Sequence, residues 1–122
     1  MQTRSQQYAC KAFDKVDIVK GTSSEKEYGA LALNFPVMVL QSGLAQASGF
    51  ILAKKRDGQL RYLNDLADVL DQNNGEVFHQ QIIASSLGDY QRLTRHALEA
   101  AGWFKRYAQG HLNAKTTDTG DV

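Results

Sequence analysis

The sequence predicts an all-α fold: a single-domain bundle of about six amphipathic helices. Apolar residues recur at the ~3.6-residue helical spacing, and strand-like alternation is absent. The chain has one proline, Pro36, so long helical runs meet almost no backbone obstacle. Short polar breaks at 21–24, 41–43, 54–58 and 73–75, and again before Ser86, divide the pattern into six runs.

The first run, 3–20, places Tyr8, Ala9, Ala12, Phe13, Val16 and Val19 on one face. Gly21 stops it, and Thr22, Ser23 and Ser24 supply a loop and the next cap. The second carries Tyr28, Leu31, Ala32 and Phe35 up to Pro36, which ends or kinks a helix because it removes a hydrogen bond. Residues 37–40 are expected to continue as buried helix until Gln41, Ser42 and Gly43. A short third helix turns Leu44, Ala47, Ile51 and Leu52 inward. After the charged turn 54–58, a fourth presents Leu63, Leu66, Ala67 and Leu70, with Tyr62 and Val69 beside them. Asn73-Asn74-Gly75 is a strong turn signal. A brief fifth helix holds Phe78, Ile82 and Ile83. Ser86 caps the sixth, with Asp89 in the third position of a capping box, and that helix runs to about Gln109. Residues 1–112 are therefore read as the bundle. Residues 113–122, small and polar, are read as a disordered tail.

Composition narrows the function classes. The 122 residues fit one domain large enough to fold without staples. A lone cysteine, Cys10, cannot make an internal disulfide, which suits a reducing compartment. The longest apolar stretch, 35–40, is far short of the ~20 residues of a membrane span. The first seven residues hold no apolar signal core, so a cytoplasmic protein with no membrane partner is expected. The net charge of +1 and isoelectric point of about 7.9 do not by themselves predict a nucleic-acid-binding domain, which often exceeds a pI of ~9.

Enzyme signatures are missing. There is no glycine-rich phosphate loop, CxxC, HExxH or adjacent His-Asp pair. His79, His96 and His111 fall on different segments or turns, and no helical spacing joins them at a metal. Cys10 has no nameable His or Asn partner for nucleophilic work. Asp14, Asp17, Asp65, Asp68 and Asp71 interleave with core positions as solvated faces. No catalytic residue, metal or cofactor is expected.

The sixth run says more. Steps of ~100° gather Tyr90, Leu93, Thr94, Ala97, Ala101, Phe104 and Ala108 on one side, with Leu98 at the edge. Arg92, Arg95, His96, Glu99, Trp103 and Arg106 collect opposite. An outward tryptophan beside arginines suits a protein interface or base stacking; the alternative is that Trp103 packs on another helix of the same domain. Lys105 borders the apolar stripe and can snorkel outward. In the first run Arg4, Lys11 and Lys15 share one sector as a basic ridge with few acids, or else as an ordinary solvated face. Lys54, Lys55, Arg56 and Arg61 form a third basic group. An RNA-facing surface requires that these groups converge, with the first and last ridges on one side of the domain.

The sequence also resembles a known family. Arg4-Ser5-x-x-Tyr8-Ala9, LNFPVMVLQSGLAQASGF (33–50) and DYQRLTRHALEAAGWFKRYA (89–108) look like the small all-helical subunit of the type III-B CRISPR RNA-silencing (Cmr) complex. The resemblance covers nearly the whole chain, and its most specific pieces are Pro36…Gly43-Leu44 and Trp103-Phe104-Lys105-Arg106. It implies a six-helix bundle without catalytic activity that stacks with its own copies beside a guide RNA–target RNA duplex. It also implies contacts with the backbone and large subunits and a share in a basic target-RNA channel. The positions expected to meet RNA or partner protein are Arg4, Lys11, Lys15, Arg92, Arg95, Trp103, Lys105 and Arg106. Gly49 and Gly102 depart from a plain helical pattern, each weakening a helix interior by ~1 kcal/mol relative to alanine. A generic helical adaptor without an RNA role is the competing reading.

Overall fold

The computed structural model describes residues 1–115 of the chain. They form α1 (Arg4–Val19), α2 (Glu25–Ser42), α3 (Leu44–Lys54), α4 (Asp57–Val69), α5 (Gly75–Ala84) and α6 (Leu87–Gly110), with no strand among them. No helix among the described residues is long and apolar enough to cross a membrane.

Helix ends follow local chemistry. At α1 the Gln6 amide N–H donates to Thr3 Oγ1 (3.1 Å) and the Thr3 amide to Gln6 Oε1 (2.8 Å), a reciprocal capping box. Asn74 accepts from the Val77 amide at 2.9 Å to start α5, and Ser86 from the Asp89 amide at 3.3 Å to start α6. Helix α2 runs unbroken through Pro36 and stops at Gly43, whose φ of +87° lies where glycine is favoured. Helices α3 and α6 likewise continue through Gly49 and Gly102.

Three expectations about the core are corrected. Residues 37–40 are not uniformly buried: Phe35 and Val39 face the core, while Val37 and Leu40 lie on the opposite side of α2. Ile83, about 100° round from the buried Ile82, faces outward. Phe13 is partly exposed, held edge-on against Tyr107 with ring centres 5.3 Å apart. At the carboxy end, Asn113 and Ala114 are not a loose tail. Asn113 turns with φ +53°, and the Ala114 amide donates to the Ala108 carbonyl at 2.9 Å. The Ala114 methyl lies 3.0 Å from where a Cβ on Gly29 would sit. Residues 116–122 lie outside the described residues.

Helix α2 packs on α3, α4 and α6, with residues 28–33 all buried. Helix α6 runs antiparallel to it, with Tyr90 beside Gly43 at one end and Ala114 beside Gly29 at the other. Helix α1 runs parallel to α6, tied from Ser5–Trp103 to Asp17–His111. The centre is aromatic. The Tyr62 ring lies 5.5 Å from Tyr28, 5.4 Å from Phe35 and 5.3 Å from Phe104. The Tyr62 hydroxyl and the Gln59 amide are buried with no hydrogen-bond partner among the described residues, a cost that the surrounding packing offsets.

Glu27 of α2 holds the start of α4. Its carboxylate accepts the Gly58 amide at 2.7 Å and pairs with Arg56 at 3.5 Å, a favourable charge at a helix amino terminus. A Cβ on Gly58 would meet Glu27 Cβ at 2.6 Å, whereas one on Gly102 would meet nothing within 4 Å. The two alanine substitutions should therefore have opposite signs in urea melts. Gly58→Ala is expected to destabilise by ~1–3 kcal/mol through overpacking, and Gly102→Ala to stabilise by ~0.5–1 kcal/mol. Equal shifts in both would refute the close approach at Glu27.

Asp65 gives a pH signature. It accepts the Tyr28 hydroxyl at 2.7 Å, yet burial pushes its carboxyl above the usual range; the Tyr28 bond, Lys15 and Arg61 oppose that rise. The native state therefore binds more protons than the unfolded chain between the ordinary carboxylate value and the raised one. Asp65 thus makes stability fall as pH rises through that window. Asp65→Asn keeps an acceptor for Tyr28, so its stability should fall less across that window, and at neutral pH it should equal or exceed the wild type. A clear loss at neutral pH would contradict this account.

Candidate nucleic-acid interface

Parallel packing of α1 on α6 brings Arg4 to the α6 arginines. The Arg4 guanidinium pairs with Glu99 at 3.2 Å, and Arg92 pairs with Asp89 one turn earlier at 3.1 Å. His96 lies within the fields of Arg4, Arg92 and Arg95. Desolvation and then the Arg4 charge hold its ring below the ordinary imidazole range, while Glu99 partly opposes them. A proton on His96 is therefore disfavoured until an anion arrives. Arg95 and Arg106 are exposed, and Lys105 is half-buried. None of these three makes an ion pair with a described residue.

The other half of the expected ridge is arranged differently. Lys11 reaches Asp71 at 3.4 Å and Lys15 reaches Asp68 at 2.6 Å. Asp68 belongs to α4 and Asp71 lies just past its end, so these lysines stitch α1 to the α4 segment. The expectation of a basic ridge with few acids is thus corrected: α1 sits against both α4 and α6, and acids from those two segments meet its cations. Arg4 joins the α6 group, and Lys11 and Lys15 do not. The third basic group is dispersed as well. Arg56 is held by Glu27, and Lys54 lies over the Phe50 ring at 5.1 Å. The Arg61 charge is felt at Lys15 and Asp65. Exposed pairs of this kind contribute ~0–1 kcal/mol each, so they bias orientation more than they stabilise.

Trp103 is not an outward side chain. It is half-buried against the core cluster, donates its indole N–H to Ser5 Oγ at 3.1 Å and stacks on Tyr107 with ring centres 5.9 Å apart. The wheel of α6 alone missed this because α1 covers that flank. The only signal in the sequence was the small Ser5 near the chain start. His111 meets Asp17 at 2.8 Å on the same seam. His79 is bonded to Ser48 at 2.7 Å between α3 and α5, and Cys10 is exposed. No group of three His, Cys, Asp or Glu residues suited to a metal occurs among the described residues.

This geometry predicts graded losses in α6. Phe104→Ala, at a fully buried ring, should cost ~3–5 kcal/mol. Trp103→Ala should cost about half as much, and Trp103→Phe about 1 kcal/mol for the lost Ser5 bond. Thermal melts of the three variants check the order. A Trp103→Ala protein as stable as wild type would return that ring to the surface.

Comparison with known proteins agrees with the bundle. The family described as CRISPR-associated protein (Cas_Cmr5) matches residues 4–111. The CRISPR system Cmr subunit Cmr5 of Thermus thermophilus is 40% identical over 109 residues, covering 89% of this chain and 96% of that protein. The X-ray crystal structure of a CRISPR-associated Cmr5 family protein from the same organism superposes with a TM-score of 0.87 at 40% identity. It covers 90% of this chain and 97% of its own. The match spans α1 to the end of α6 and includes every residue of the α1–α6 seam, so the chain belongs to the Cmr5 family of CRISPR-associated proteins.

Proposed function

We propose that this chain is a non-catalytic structural subunit of a type III-B CRISPR (Cmr) ribonucleoprotein. It acts in the cytoplasm, in antiviral defence. Copies stack beside the guide RNA–target RNA duplex, next to the backbone and large subunits, and the α6 face helps line a basic channel for the target strand. The observation that carries the RNA part is the convergence of Arg4, Arg92 and Arg95 around His96, continued along α6 by the exposed Arg106. A polyanion laid on that face supplies the charge that His96 and the free arginines lack. Each copy neutralises few phosphates, and an array multiplies the effect, which suits the near-neutral chain. Pairing of Lys11 and Lys15 with acids of the α4 segment favours the second reading, a protein adaptor without an RNA role.

Charge reversal separates the two. In the assembled complex, Arg95→Glu with Arg106→Glu should weaken capture of target RNA by about tenfold and lower the salt dependence by about one phosphate contact per arginine. Lys11→Glu with Lys15→Glu should lower the melting temperature of the chain and leave RNA capture nearly unchanged. Filter binding across a salt series reads both. RNA capture unaffected by the arginine pair would leave the adaptor reading standing alone.

A further inference from the structure

Two peptide bonds of this chain join an aspartate or asparagine to a glycine, Asp57-Gly58 and Asn74-Gly75. Such pairs are prone to self-modification, because no side chain on the glycine obstructs the approach of its nitrogen to the preceding side-chain carbonyl. Here both glycines sit in the first turn of a helix, Gly58 in α4 and Gly75 in α5, and both are buried. Packing holds them in place. A Cβ on Gly75 would meet Leu63 Cγ at 2.9 Å, and one on Gly58 would meet Glu27 Cβ at 2.6 Å. The residues before them are tied to the helix starts as well. Asn74 accepts the Val77 amide at 2.9 Å, and Asp57 lies in the first turn of α4, where a carboxylate is favoured. The fold thus retains two reactive dipeptides, with Asp57 and Asn74 themselves exposed.

Each glycine amide is captured by a side chain. The Gly75 N–H donates to Asn64 Oδ1 of α4 and the Gly58 N–H to Glu27 Oε1 of α2, both at 2.7 Å. First-turn amides have no partner within their own helix, and these bonds supply one. They also occupy the nitrogen that the chemistry needs. At Asn74 that nitrogen loses its proton and bonds to the side-chain Cγ, and ammonia leaves. Water then opens the succinimide at either carbonyl, giving aspartate or isoaspartate. At Asp57 the same attack expels water, and hydrolysis gives the same two products without a net change in mass. A five-membered ring also needs the glycine nitrogen nearly eclipsed with Cβ. The Asn74 ψ of 176° holds it well away from that, and turning it would drag Gly75 off Leu63. We propose that Asn74-Gly75 is a latent self-modification site held shut by the Asn64 side chain, with Asp57-Gly58 its counterpart under Glu27. Local opening of the corner between α4 and α5 releases it. The products differ in consequence: an aspartate still caps α5, whereas isoaspartate lengthens the main chain by a methylene and unseats Gly75.

The test is a crossed pair of variants of the full chain, each incubated folded and, for reference, unfolded in urea. Deamidation at residue 74 is followed by peptide mass spectrometry at mildly alkaline pH. Isomerisation at residue 57 is followed at mildly acidic pH and read afterwards by enzymatic methylation of isoaspartate. In the wild type both reactions should be far slower in the folded chain. Asn64 is exposed, so its truncation leaves the core intact. Asn64→Ala should speed the reaction at Asn74 by about threefold to tenfold, the effect of one hydrogen bond on a local opening, and leave Asp57 unchanged. Glu27→Ala should do the reverse. Asn64→Asp keeps an acceptor for the Gly75 amide and should stay near wild type. A general loss of stability would instead speed both sites together. Equal acceleration of both sites by either variant overturns the inference. So do wild-type rates in folded Asn64→Ala, or a folded wild type that reacts as fast as the chain in urea.

Discussion

The bundle depends on one ring. Tyr62 of α4 touches Tyr28 and Phe35 of α2 and Phe104 of α6, so three helices meet at a single buried side chain. Large aromatic groups supply much of the apolar area in a core, and here they also set directions. Tyr28 is fixed by Asp65, Phe104 fixes the rotation of α6, and that rotation decides which α6 residues face α1. The surface face of Arg92, Arg95 and Arg106 is thus a consequence of where Phe104 is inserted. Altering the ring contacts would turn the outer face as well as loosen the core.

Much of this architecture was legible in the chain. The period located all six helices, because burial of a stripe imposes ~3.6 spacing, and Gly21, Gly43, Asn74 and Ser86 mark ends that chemistry requires. The same period misjudged side chains at the edges of stripes. Ile83 and Val37 are apolar but lie on the far side of short or terminal segments, and Phe13 sits where two helices part. Pro36 was a warning that α2 did not heed. One missing hydrogen bond is tolerable in a helix packed on three neighbours.

The candidate surface was legible only by half. A wheel shows which residues of one helix share a side, but not which neighbour covers that side. Arg92, Arg95 and Arg106 could be grouped from α6 alone. The fate of Arg4, Lys11 and Lys15 depended on acids 53 to 95 residues away in sequence, Asp68, Asp71 and Glu99, and no periodicity encodes such pairs. Trp103 is the sharpest case. It lies on the polar side of the α6 wheel, but that side is not all solvent, since α1 lies along part of it. The Glu27–Gly58 contact was invisible for the same reason.

The bond from the Ala45 amide to the Tyr90 hydroxyl also has a bearing on how the chain assembles. Helix α3 has 11 residues and no side-chain cap of its own at Gly43; a segment of that length is marginal in isolation. Its first turn is completed by a phenol that arrives from α6, 45 positions later in the chain. Packing on α2, α4 and α5 holds the body of α3, and the Tyr90 bond adds an acceptor for a first-turn amide that has no partner within its own helix. That bond joins the first turn of α3 to the first turn of α6. A substitution that removes the Tyr90 hydroxyl is therefore also a change at the start of α3, where it leaves the Ala45 amide without its acceptor.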